Sequence, residues 1–138
     1  MSKTFASGRP VRITVVDSRG TAPQIVEFRS PAGSAAGTWR GDSPPECRDY
    51  DVEFELRGQP RWGQDINMDV DAPSGFRQRD GETQIVARVV ECDAAGVRSV
   101  ELGGTLVMVE LSNRPSLDVT GATVSIRVKH LAIYPTTV

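Results

Sequence analysis

Carboxylates at alternate positions in two short stretches carry most of this chain's capacity for chemistry. Over 49–56, Asp49, Asp51, Glu53 and Glu55 alternate with Tyr50, Val52, Phe54 and Leu56. Over 65–71, Asp65, Asn67, Asp69 and Asp71 alternate with Ile66, Met68 and Val70. Successive side chains of a strand point to opposite faces, so each stretch predicts a strand with one apolar and one acidic side. Paired through the intervening turn, the two would crowd seven carboxylates onto one surface, where like charges repel. Such a surface needs arginines from neighbouring strands, a cation or a basic partner. Asp49, Asp51, Glu53, Glu55, Asp65, Asp69 and Asp71 are therefore the candidate partner-binding residues, able to steer a basic protein.

Other uses of these groups find less support. A calcium loop starting at Asp65 would need glycine at its sixth position and glutamate at its twelfth, where Val70 and Phe76 stand. A cation held between Asp69, Asp71 and the Asp80 turn is the remaining metal reading, and the sequence assigns neither metal nor cofactor. Acid–base catalysis needs two carboxyls in different environments inside a cleft, whereas acids alternating along one strand share one environment. His130 is the only histidine, so any catalytic triad or Cys/His dyad must use it. With no Gly-x-Ser-x-Gly elbow, no His-Glu-x-x-His helix and no phosphate-cradling loop, no catalytic residue is assigned. An enzyme built on His130 ranks last among the functions considered.

Trp62, Phe76, Arg77 and Arg79 form the candidate ligand-binding set. Trp62 follows Arg61, and Phe76 precedes two arginines, an arrangement that can stack a base or a sugar. Packing at the rim of a core is the competing role for both rings.

The chain's 138 residues suit one domain, with 1–10 expected to be a flexible N-terminus. A net charge of −2 and a pI near 5.4, with no lysine-rich run, disfavour a general nucleic-acid binder. Fourteen arginines against two lysines match a GC-rich coding bias, and they also supply forks suited to carboxylates. No apolar run approaches the roughly 18 residues that span a bilayer, and no signal-peptide core follows Met1. A cytoplasmic protein with reduced Cys47 and Cys92 is expected.

The elements that would position these residues are strands. Period-two patterns predict them over 11–17, 24–29, 49–57, 64–71, 83–92, 97–102, 105–111 and 122–134. Asp80-Gly81, Asp93-Ala-Ala-Gly96 and Gly103-Gly104 carry hairpin chemistry, which makes 83–111 an antiparallel meander. Residues 31–38 read as one short turn at most, and 41–48 as an irregular loop. Residues 105–111 read as a central strand, apolar on both faces. Over 122–134, Val124, Ile126 and Val128 are out of phase with Leu131 and Ile133, which predicts a bulge or bend near Lys129-His130. The expected fold is a single all-β domain of about eight strands. It is either an antiparallel sandwich or jelly roll, or a Greek-key barrel resembling the OB type, whose five main strands would lie within 49–134. The expected function is non-enzymatic: binding of a protein partner or of copies of itself. An OB-like module for a small ligand or single-stranded nucleic acid is the alternative.

Overall fold

Alternation in the sequence becomes eleven strands in the computed structural model, which describes residues 10–68, 72–79, 82–93, 96–110 and 118–136 apart from the side chains of Arg79 and Asp93. The expected flexible N-terminus falls, apart from Pro10, outside the described residues. The strands are β1 (Val11–Arg19), β2 (Ile25–Ser30), β3 (Gly33–Trp39), β4 (Asp49–Arg57), β5 (Ile66–Asn67) and β6 (Gly75–Arg79). They continue with β7 (Glu82–Asp93), β8 (Gly96–Leu102), β9 (Thr105–Val109), β10 (Thr123–Arg127) and β11 (His130–Pro135). Among the described residues there is no helix.

Five strands close a barrel in the order β1-β2-β3-β11-β4, with β4 returning to β1. Its interior holds Ile13, Val15, Val26, Phe28, Val52, Phe54, Leu56, Leu131 and Ile133, none more than 2% exposed. A barrel this narrow is filled by its own side chains. The five-stranded closure expected within 49–134 is thus built differently: three of its strands precede Asp49. Nor is the architecture purely antiparallel, because β11 pairs β3 in parallel and β9 pairs β4 in parallel.

β4 belongs to two sheets at once. One edge pairs along its length with β11. The other edge pairs first with β1, from Asp49 to Val52, and then with β9, from Phe54 to Leu56. From that fork an outer sheet runs β9-β8-β7-β10-β5, with β6 also on β7. The meander over β7, β8 and β9 is as the turn chemistry predicts. Gly103 and Gly104 both have positive φ, 59° and 84°, as a two-residue hairpin turn with right-handed strand twist requires. On β9, however, Leu106 and Met108 stay half-exposed, so that strand is not sealed on both faces.

The phase slip near Lys129 marks the point where the chain changes sheets. β10 pairs β7 and β5 in the outer sheet; after a bend, β11 enters the barrel. The anticipated single strand is therefore two.

Residues 33–39, expected to make a turn, form β3 instead, hydrogen-bonded to β2 on one side and β11 on the other. Small residues are what this position demands. A Cβ at Gly37 would lie 2.7 Å from the Leu131 carbonyl oxygen and 2.9 Å from Ile133 Cδ1.

Both barrel ends are filled by the chain itself. At the end where β3 finishes and β4 begins, Trp39 meets Tyr50 edge-on at 4.9 Å. The 41–48 loop is pinned there by Trp39 Nε1 donating to the Ser43 carbonyl, by Tyr50 Oη accepting from the Glu46 N–H, and by Val15 N–H donating to the Arg48 carbonyl. At the opposite end, Phe76 of β6 packs on Phe28 and Phe54, each at 5.6 Å, while those two rings stack at 5.3 Å. The Phe76 N–H also donates to the Ala32 carbonyl, tying the outer sheet to the β2–β3 turn.

Gly37→Ala should cost about 1–3 kcal/mol, because backbone on β11 cannot yield to the added methyl. Urea titration should show a lower midpoint at unchanged slope, and an unaltered midpoint would refute this account of the β3–β11 contact.

Candidate functional site

Asp49, Asp51, Glu53 and Glu55 do share one face of β4, which is the outer wall of the barrel. The described part of the second acidic stretch, 65–68, does not pair with β4. β5 pairs β10, at the far end of the outer sheet, and has no ladder with β4. Asp65 precedes β5 and is only 4% exposed. Asp69 and Asp71, with the Asp80 turn, lie outside the described residues. Of the expected seven-carboxylate surface, the described residues show a four-residue row on β4, with Asp65 apart from it.

Neighbours on the barrel offset most of that row. Arg12 on β1 sits directly opposite Asp51, and its Nε donates to Oδ1 at 2.9 Å. Thr14 Oγ1 donates to Asp49 Oδ1 at 2.7 Å across the same ladder. Glu55 is 6% exposed, covered because β4 at this point lies inside a wider sheet. A carboxylate desolvated to that degree needs partners. Tyr134 Oη donates to it at 3.2 Å and Arg57 Nε lies 3.9 Å away. Glu53 stands at the point where β1 and β9 diverge, opposite Tyr134. Partial burial pushes its carboxyl pKa up.

The same face gathers residues that the sequence did not connect. His130 lies across from Arg57, and its Nε2 is 3.0 Å from Thr38 Oγ1 on β3. Arg57 Nη2 lies 3.9 Å from Glu110 Oε2. Thr38, Glu55, Arg57, Glu110, His130 and Tyr134 thus converge from four chain segments. Burial holds the His130 imidazole below its usual pKa; Arg40 and Arg57 add to this, and Glu110 and Glu55 oppose it. Alternation on 49–57 foretold the Glu55 side, but no local signal linked it to Thr38 or Glu110.

The candidate ligand set separates. Phe76 is 8% exposed and points inward, so it is a core residue and not an open stacking platform. Trp62 is half-buried against the same core beside Ile66. Ile66, Ile126, Ile85 and Phe76 are successive cross-strand neighbours, which places two strands, β10 and β7, between β5 and β6. Arg77 alternates with Phe76 and therefore faces outward, in one row with Gln84 and Arg127. The Arg79 side chain lies outside the described residues. Among the described residues, no three His, Cys, Asp or Glu side chains converge as a metal-binding group.

Asp65 has a different role from the one its pattern suggested. Its Oδ2 accepts from the Arg61 N–H at 2.9 Å and from Lys129 Nζ at 3.0 Å, fastening the 61–65 turn to the β10–β11 bend. Burial raises its pKa, but the Arg61 N–H bond, Lys129 and the charge of Arg127 outweigh that and hold it below the ordinary value. A depressed aspartate pKa stabilises the fold above about pH 4 and is lost as pH falls through the folded value. Asp65→Asn should cost about 1–3 kcal/mol near neutral pH, less than a fully buried pair because Lys129 keeps 42% of its side chain exposed. Below about pH 4, thermal melts of the variant and the native chain should converge; a constant gap would contradict the assignment. Comparison with known proteins finds no matching family model, no matching curated protein and no matching solved structure.

Proposed function

We propose that this chain is a non-enzymatic β domain that acts through its outer surface, by protein–protein interaction or by pairing with copies of itself. The observation that supports this is the filling of the barrel from end to end. Trp39, Tyr50 and the 41–48 loop occupy one end, Phe76 the other, and apolar side chains the space between. A barrel without interior room does its work on its walls. The wall with the most distinctive chemistry is outer β4, where Asp49 is exposed and Asp51 and Glu53 are half-exposed. Arg12 over Asp51 is a solvent-facing pair, which a basic partner can exchange at little cost. A cytoplasmic setting is part of the same proposal; among the described residues no helix is long and apolar enough to cross a membrane.

Sedimentation velocity across micromolar concentrations tests the self-pairing half. Association should appear and weaken with salt, and a Glu53→Lys substitution should reduce it. A fluorescent oligo-lysine peptide tests the other half: it should bind the native chain, and Glu53→Lys should bind it several-fold more weakly. A strictly monomeric chain that also ignores the peptide would sink the proposal.

A second reading, the OB-like module for a small ligand or single-stranded nucleic acid, draws on one feature of the outer sheet. Arg77 and Arg127 flank Gln84 across three strands, with Arg88 further along the same face. Arg127 pairs Glu82 at 3.3 Å and Arg88 pairs Glu101 at 3.4 Å, both in solvent-facing positions. A labelled oligothymidylate should then bind at low salt and be lost in Arg77→Gln/Arg127→Gln. Equal binding by native and variant chains would remove this reading.

A further inference from the structure

We propose that His130 is an acid-released latch on the seam at which β11 closes the barrel. The seam is narrow. β11 meets β3 in a parallel ladder whose register pairs are Ala132 with Thr38 and Ile133 with Trp39, continued by Arg40 N–H donating to the Ile133 carbonyl. His130 adds a side-chain bond to that ladder, from the first residue of β11 to Thr38 Oγ1 at 3.0 Å. It stands directly after the bend where the chain leaves the outer sheet, so it holds the strand at its point of entry.

The charged and titratable groups around it come from every neighbouring segment. Arg40 follows β3; Arg57 and Glu55 lie on β4; Glu110 follows β9; Tyr134 lies further along β11. Lys129 precedes His130 but is engaged by Asp65. Glu55 is bonded by Tyr134 and neighboured by Arg57, and Glu110 is neighboured by Arg57, so the acids already have cationic or hydroxyl company. A proton on His130 would place a third cation beside Arg40 and Arg57 in a half-buried position. In the neutral ring Nε2 donates to or accepts from Thr38 Oγ1 according to the tautomer, whereas the imidazolium can only donate, and it loses solvation that the neutral ring does not need. The neutral form is therefore the one that fits the seam, in agreement with the direction of its pKa. A histidine whose folded pKa is depressed stabilises the fold above its unfolded value, about 6.5, and that contribution is lost as pH falls toward the folded value.

The chain has one histidine, which makes the test clean. Its single imidazole Cε1–H resonance reports the titration by proton NMR without ambiguity. In the native chain the midpoint should lie below about 6.5, and Arg40→Gln should move it upward. In parallel, the native Tm should drop by a few degrees from about pH 7.5 to about pH 5. His130→Gln, which keeps a polar contact to Thr38 but does not titrate, should show a flatter profile. A midpoint at or above 6.5, an Arg40→Gln midpoint that stays or falls, or equal acid losses in native and His130→Gln chains would each overturn the latch. If His130→Gln does not fold, the Arg40→Gln titration decides alone. None of these results bears on whether outer β4 binds a basic peptide.

Discussion

One strand serving two sheets is the constraint on which the rest of this molecule depends. Because β4 exchanges β1 for β9 midway along one edge, its second half lies inside a continuous surface and is covered on both faces. Phe54, Glu55 and Leu56 are consecutive and all buried, an unusual demand on a sequence that alternates apolar and acidic residues. The apolar residues meet the barrel core. Glu55 is held by the Tyr134 hydroxyl from β11 and by the Arg57 guanidinium two residues along β4. Replacing either partner would remove part of what offsets the desolvation of Glu55, so this short segment couples charge satisfaction to barrel closure.

The aromatic rings tie the two sheets into one core. Phe28 and Phe54 come from the barrel wall and Phe76 from the outer sheet, at centroid separations where ring pairs attract by about 0.5–1.5 kcal/mol beyond the area they bury. A Cβ at Gly75, whose φ is 146°, would lie 2.6 Å from the Ala32 carbonyl oxygen, so the absence of a side chain lets β6 reach the β2–β3 turn. The outer sheet is thus anchored twice, by β9 at the fork and by Phe76 at the barrel end. A surface function on either layer sits on a common, well-packed support.

Much of this was legible in the residues. Alternation gave β4 its bounds, and paired glycines gave the β8–β9 hairpin. The slip between Val128 and Leu131 located the bend that sends the chain from one sheet to another. What escaped notice has physical reasons. Gly33–Trp39 carries too little apolar contrast to read as a strand; it becomes one because β2 and β11 bond both its edges. Phe76 resembled an exposed ring because arginine follows it, yet inward and outward positions alternate there as in any strand. Asp65 belonged to an acidic pattern, but a turn and Lys129 claimed it. The His130–Thr38 contact joins residues 92 positions apart, and no local pattern encodes such a meeting.

The parallel union of β3 with β11 has a bearing on how the chain is made. A parallel pair cannot zip from a hairpin, and this one joins residues 94 positions apart in a chain of 138. During synthesis, β1 to β4 emerge first and bury their apolar faces, but β3 and β4 each present an open edge until residues 130–135 leave the ribosome. High contact order of this kind slows folding and prolongs exposure of strand edges. The charged outer wall of β4 faces solvent beside one of those waiting edges and would discourage premature pairing with a neighbouring nascent chain.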